Sequence, residues 1–293
     1  MRSPSIGTRS SRGRRLVLLG LAAALVLSGC AELGSPRNGV LPAEPGITDK
    51  TESIINHWSG AWVAALGVGV LVWGLTIWCV IVYRKRKNDN TLPVQLRYHV
   101  PLELMYTVVP ILMIGVLYFY TVQVTSEITD VSAEPDHTIE VYGKQWSWDF
   151  NYLDENVYSV GVPAQLDGSA GREETLPTLY LPVGETVEFT VDSRDVIHSF
   201  WIPAFLFKID MIPGHPNTFQ VTPEEIGHYQ GKCAELCGEF HSEMLFNVEV
   251  VDRETFDAEM DALRAAGNTG RLGEEYDRVY DQRGYLQDGT GNN

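Results

Sequence analysis

Two runs of 23 residues without a charge, 61–83 (AWVAALGVGVLVWGLTIWCVIVY) and 104–126 (LMYTVVPILMIGVLYFYTVQVTS), limit the possible folds of this chain more than any other feature. At about 1.5 Å per helical residue each run reaches about 34 Å, enough to cross a hydrocarbon core of about 30 Å with some tilt. A lipid interior offers the backbone no hydrogen-bond partners, so a run that enters it must be helical. Pro110 would break a helix in water, but a membrane bundle tolerates it. Cys79, inside the first run, reads as a small buried hydrophobe. These features predict a transmembrane hairpin over 57–126.

The loop between the runs sets the direction of that hairpin. Residues 84–99 (RKRKNDNTLPVQLRYH) carry five Lys/Arg against one Asp. Positive loops stay in the cytoplasm, so the chain on either side is expected outside. The N-terminus agrees: 13 apolar residues at 16–28 (LVLLGLAAALVLS) follow Arg2, Arg9, Arg12, Arg14 and Arg15, the layout of a secretory signal. The run ends in Leu27-Ser28-Gly29-Cys30, which resembles a bacterial lipobox. That motif implies a signal peptide at 1–29 and acylation of Cys30 as the new N-terminus; the plainer alternative is an ordinary cysteine behind an ordinary signal. The surroundings of Arg14-Arg15 match twin-arginine export poorly. Residues 30–56, rich in Pro and Gly, read as an extracytoplasmic tether. The implied location is a bacterial plasma membrane, with a lipid anchor and a large outer C-terminal domain.

That outer part is acidic. From 104 to 293 there are 32 Asp/Glu and 10 Lys/Arg, a net of -22, against -16 for the whole chain. Such a surface repels nucleic acid and steers a cationic partner, although solubility alone accounts for most of the charges. Apolar alternation marks strands at 139–143, 146–152, 186–191, 218–221 and 245–251, with Gly, Pro and Asp between them. Short strands with turn signals predict a Greek-key sandwich or barrel over 127–252. Residues 154–177 interrupt the pattern and read as an insertion loop. Residues 253–293 form a C-terminal helix and polar tail. Within 252–266, Asp252 is placed to cap the helix and Phe256, Met260 and Leu263 share one face. The tail 267–293 shows no core pattern.

The chemistry concentrates in residues 233–244, CAELCGEFHSEM. Cys233, Cys237, His241 and Met244, with His198 upstream, make a soft ligand set that suits copper. A Cys233–Cys237 disulfide is the competing reading in an oxidising compartment. A Cys2His2 zinc site would leave Met244 unexplained, because a thioether is a poor zinc ligand. Five donors are more than one tetrahedral ion needs, which hints at two metals.

The whole order, two membrane helices followed by an outer β-domain with H…CxxxCxxxHxxM, resembles cytochrome c oxidase subunit II. PLELMYTVVP (101–110), YGKQWSWDFNY (142–152), DVIHSFWIP (195–203) and KIDMIPG (208–214) are similar to family stretches in the same order, so the likeness runs over roughly 55–251. The resemblance implies a cupredoxin-like barrel holding a dinuclear copper centre, CuA. Cys233 and Cys237 would bridge both coppers; one copper would take His198 and Met244, the other His241 and the carbonyl of Glu235. The Glu235 carboxylate would help bind a Mg or Mn ion shared with subunit I. Trp146 would accept electrons from cytochrome c, although strand position alone reads it as a barrel residue. Asp195 would help dock that cytochrome. Glu103, costly at the cytoplasmic membrane boundary unless it snorkels or functions, would lie at the entrance of a proton path.

The implied partners are subunits I and III, membrane lipid, and a soluble or membrane-anchored cytochrome c. No CxxCH haem-attachment site occurs in the chain, so no haem is expected in it. The implied activity is electron relay within a proton-translocating oxidase, with oxygen reduced on the partner. Tyr106 stands where the family usually has Trp, and His215 where it commonly has Arg, so proton-exit details do not transfer. Two rival functions are a thioredoxin-like copper-delivery protein, which would lack HxxM, and a quinol-oxidase subunit II, which would lack the cysteines.

Overall fold

The computed structural model describes residues 41–85, 92, 94–164 and 175–277, with the backbone of 279–280 and 286–287. The signal sequence, Cys30 and the first part of the tether lie outside the described residues.

Two long helices come first, α1 (Thr51–Val82) and α2 (Val100–Ile128), each extending beyond the uncharged run that predicts it. Their apolar side chains point outward, among them Leu71, Trp73, Trp78, Ile111 and Phe119. Exposing them to water would cost about 25 cal/mol per Å² of apolar surface, whereas lipid accepts them. Helix α2 begins with a cap built from its own sequence: His99 Nδ1 accepts from the Leu102 N–H at 3.3 Å, and Glu103 Oε1 accepts from the His99 N–H at 2.8 Å. Pro101 sits in the first turn, where its missing N–H costs nothing. Two polar contacts tie the helices together, Ser53 Oγ to Glu127 Oε1 at 2.7 Å and His57 Nε2 with Thr121 Oγ1 at 3.1 Å.

Ten strands follow: β1 (His137–Lys144), β2 (Ser147–Tyr152), β3 (Val157–Val160), β4 (Thr178–Pro182), β5 (Val187–Ser193), β6 (His198–Ile202), β7 (Phe207–Met211), β8 (Asn217–Val221), β9 (Gly227–Cys233) and β10 (Leu245–Val251). They form two five-stranded sheets, ordered β3-β2-β1-β5-β8 and β4-β10-β9-β6-β7. Strand β1 runs parallel to β5 and β4 parallel to β10; the other pairs are antiparallel. This is the expected cupredoxin-like class. The sheets close on an aromatic core in which Phe200 stacks on Phe246 at 5.1 Å, Phe189 stacks on Phe219 at 4.9 Å, and Trp148 meets Phe200 edge-on at 5.7 Å.

The alternating segments became β1, β2, β5, β8 and β10. The other five strands carry weaker signals for identifiable reasons. β7 (FKIDM) interleaves charges, and β9 (GHYQGKC) holds two glycines. Gly231 of β9 is obligatory, because a Cβ there would sit 1.9 Å from the Phe246 ring.

Three expectations need correction. The stretch 154–177 is not simply an inserted loop: it contains β3, which pairs with β2. Residues 43–49 are not a free tether either. Ala43 and Ile47 are buried, and Asp49 and Thr222 exchange hydrogen bonds near 3 Å. The tail 267–293 shows no core pattern in sequence, yet its residues 271–277 pack on the domain, with Leu272 buried. That helix, α3 (Arg253–Ala265), forms as expected: Asp252 accepts from the Thr255 N–H at 2.8 Å, and Phe256 and Met260 are buried.

Candidate metal centre

Three segments meet at one end of the sandwich: the turn between β1 and β2, the run 193–198 leading into β6, and the loop 234–244 between β9 and β10. Register explains why. Phe200 of β6 pairs with Cys233 of β9, which puts His198 beside the last residue of β9. The loop base is closed by the Cys233 N–H on Met244 O and the Ala234 N–H on Ser199 O, both 3.0 Å.

Cys233 Sγ then lies 3.7 Å from His198 Nδ1 and 3.2 Å from the Glu235 carbonyl. Cys237 Sγ lies 3.5 Å from His241 Nδ1 and 3.7 Å from Met244 Sδ. The two sulfurs are 3.8 Å apart. His198, Cys233, Cys237 and Met244 are buried, and His241 is half-buried. Among the described residues, the ligand atoms of His198, Cys233 and Cys237 all fall within 4.8 Å of one another.

This arrangement fits a soft cation. The thioether and the carbonyl can only accept, each imidazole can turn a lone pair inward, and the two thiols have two protons to share among them. A buried surplus of lone pairs is costly without a positive charge, and sulfur with imidazole favours copper over hard cations.

The electrostatics point the same way. The Cys233 thiol is pushed down, chiefly by the neighbouring Cys237 thiol, with burial opposing and His198 assisting. The same contact drives Cys237 upward. Burial pulls the His198 imidazole down, but its hydrogen bonds to Asp195 and Cys233 outweigh burial and raise it.

Asp195 requires a correction. It was expected to dock a partner at the surface, yet its side chain is 1 % exposed. The carboxylate accepts from His198 Nε2 at 2.8 Å, from the Gln145 N–H at 2.8 Å and from the Val196 N–H at 2.7 Å. These bonds outweigh burial, which acts to raise the group, and leave its pKa lowered. A carboxylate only accepts, so His198 Nε2 carries the proton and Nδ1 faces the sulfur. Asp195→Asn is expected to lower metal affinity by about 10- to 100-fold, measured by chelator competition. Unchanged affinity with weaker cytochrome binding would restore the docking role.

The other expected residues are placed as follows. Trp146 is half-buried over the ligand loop, its Nε1–H 3.3 Å from Cys237 O and its ring 4.9 Å from that of Phe240. The Glu235 side chain is exposed while its carbonyl turns to the sulfur. Glu103 stands apart, capping α2. Cys30 lies outside the described residues. His215 sits in a tight turn, its N–H on Ile212 O at 2.9 Å.

Sequence reasoning missed Gln145, whose Nε2 donates to Cys237 O at 2.8 Å, although it lies within YGKQWSWDFNY (142–152). It also missed Gly143, where a Cβ would come 2.9 Å from the His198 ring, and the buried Arg194, for which no sequence signal exists.

Residues 137–251 match the family described as cytochrome C oxidase subunit II, periplasmic domain. The chain is similar to a Streptomyces avermitilis protein named "Probable cytochrome c oxidase subunit 2", with 42% identity over 92% of this chain and 93% of the relative. A Mycobacterium tuberculosis cytochrome c oxidase subunit 2 is 36% identical over 84% of this chain and 80% of its own length. Among solved structures, the periplasmic domain of subunit II of cytochrome oxidase from Bradyrhizobium japonicum aligns at 32% identity and a TM-score of 0.42, covering 46% of this chain and 97% of that one.

Proposed function

The chain belongs to the cytochrome c oxidase subunit II family, and on that premise we propose that it is the copper-bearing, electron-accepting subunit of a bacterial cytochrome c oxidase. Membership makes it a membrane-anchored component of an oxidoreductase complex. The observation that carries the finer reading is the convergence of two thiols, two imidazoles, a thioether and a backbone carbonyl in one pocket. A thioredoxin-like copper carrier is disfavoured, because this domain is sheet packed on sheet.

In this reading Cys233, Cys237, His198, His241, Met244 and the Glu235 carbonyl hold the dinuclear copper. When bound, the copper would supply one-electron redox chemistry, with the thiolates of Cys233 and Cys237 as its soft donors. The chain's own residues do the rest. The aromatic core and the paired strand ends keep the ligands from rearranging. Asp195 orients His198. Trp146 offers a π-surface from solvent to the Cys237 carbonyl, suited to an electron arriving from cytochrome c. The acidic outer face draws in that cationic donor, soluble or membrane-anchored. The exposed Glu235 carboxylate would help bind a Mg or Mn ion shared with subunit I. Subunits I and III would complete the assembly, and the haem of subunit I would receive the electron. The lipobox supports a lipid anchor at Cys30.

The test is spectroscopic. The copper-loaded full-length protein is expected to show an EPR hyperfine pattern from two equivalent copper nuclei and a matching near-infrared band. An ordinary mononuclear copper signal, or none, would refute the assignment.

Glu103 gives a second, independent test. Its Oε1 caps α2 by accepting from the His99 N–H. Glu103→Gln keeps an accepting oxygen for that cap and removes the charge. The assembled oxidase is expected to turn over several-fold more slowly with its copper spectrum intact, a smaller effect than the about 10²- to 10⁴-fold of a direct general acid or base. Unchanged turnover would leave Glu103 as a cap alone.

A further inference from the structure

Arg194 is sealed within the β-domain, its side chain 1 % exposed. A buried guanidinium must be fully partnered, and its partners come from two distant parts of the chain. Nε donates to Asp149 Oδ2 of β2 at 3.1 Å. The other end of the fork reaches the segment beyond α3: Nη1 donates to Gly273 O at 2.8 Å and Asp277 Oδ1 at 2.9 Å, and Nη2 to Leu272 O at 3.1 Å. The Tyr142 ring lies 4.0 Å from Cζ and the Tyr276 ring 5.6 Å from it.

The same segment is gripped a second time. Asn151, fully buried on β2, accepts from the Leu272 N–H and donates to the Leu272 carbonyl, both at 3.0 Å. Arg271 reaches Glu140 Oε1 at 2.7 Å on β1. Residues 271–277 therefore form a strap across β1 and β2, with Arg194 as its main fastening.

Arg194 stands next to the metal-ligand machinery. Its chain neighbour is Asp195, which holds His198 Nε2. Its own N–H donates to Gly143 O at 2.9 Å, and Gly143 lies directly against the His198 ring. One residue thus fixes both groups that set the imidazole.

We infer that Arg194 is a positioning residue for the metal centre, coupling the C-terminal strap 271–277 to the run that presents His198. The inference rests on reading the site as a copper centre. Seating of the strap holds residue 194 in place, and with it the Asp195 carboxylate and the Gly143 backbone that confine the imidazole. With the strap lost, three guanidinium N–H bonds lose their acceptors, and the run 193–198 loosens.

The experiment uses full-length protein in detergent. It compares wild type with Arg194→Met, with a chain ended at Gly270, and with Phe256→Leu, which loosens packing at α3 instead. The shortened chain keeps both five-stranded sheets, so it reports even where Arg194→Met does not fold. Copper affinity by chelator competition and the copper EPR spectrum are read beside thermal stability. Both strap variants are expected to bind copper at least about tenfold more weakly and to show altered hyperfine splitting. Phe256→Leu is expected to lose stability without either change. Wild-type affinity and spectrum in both strap variants would overturn the inference, as would the same changes in Phe256→Leu at matched stability loss. A wild-type protein that takes up no copper would instead overturn the reading of the site beneath it.

Discussion

Cys237→Ser is expected to abolish the two-copper spectrum and oxidase turnover while leaving the β-domain folded. Cys237 Sγ is the hub of the pocket, within 3.8 Å of Cys233 Sγ, His241 Nδ1 and Met244 Sδ. A serine hydroxyl has nearly the same shape, but it ionises far too weakly at neutral pH to act as a thiolate and is a hard donor where a soft one is needed. Without a second bridging sulfur, the remaining donors can hold at most a single ion of altered symmetry. The fold loses little, about 1–2 kcal/mol, because one small side chain replaces another at a site whose backbone is held by the loop-base hydrogen bonds. The checks are EPR of the copper-loaded chain and thermal unfolding of the same preparation. A persistent pattern from two equivalent coppers would remove Cys237 from the ligand set.

Phe200→Ala has the largest expected effect on stability. Phe200 is buried at the centre of the aromatic core, stacked on Phe246 and flanked by Trp148, Phe189 and Phe219. Truncation removes the ring's transfer energy and leaves a cavity between two sheets that cannot collapse, a cost of about 3–5 kcal/mol. Total stabilities are only about 5–15 kcal/mol, so this is a large share. The effect should reach the metal, because Phe200 pairs with Cys233 and sits two residues after His198. Thermal unfolding should show a drop of many degrees, with copper lost at a lower temperature than in wild type. A loss below about 1 kcal/mol would mean that neighbouring rings fill the space, and that the ligands do not depend on this core.

Half of the β-domain was legible because its strands bury one face and wet the other. Those segments, such as VEFTVDS and LFNVEVV, alternate in period with the pleat. The strands that escaped notice are set by packing rather than by alternation. β9 carries glycine where the Phe246 ring needs the space, and β3 is short and lies at the edge of its sheet. The strap was illegible for a related reason. Residues 271–277 bury little apolar surface; they are held by Arg194, Asn151 and backbone carbonyls, and hydrogen bonds between residues some 80–120 positions apart leave no local pattern. Asp195 took its docking role from the family resemblance, and only burial reveals that it serves a histidine.

The sequence by itself determined the architecture and the chemistry. Charge-free length dictates the two helices, since lipid admits nothing else. The spacing of Cys233, Cys237, His241 and Met244 dictates a soft-metal loop, since those side chains have few other reasons to cluster. Tertiary structure alone decided how that loop is completed and held. Strand register brings His198 to Cys233, Asp195 fixes which nitrogen faces the sulfur, and Arg194 ties the arrangement to a distant strap. Ligand identity is a property of residue types, whereas ligand geometry comes from contacts between segments that only folding brings together.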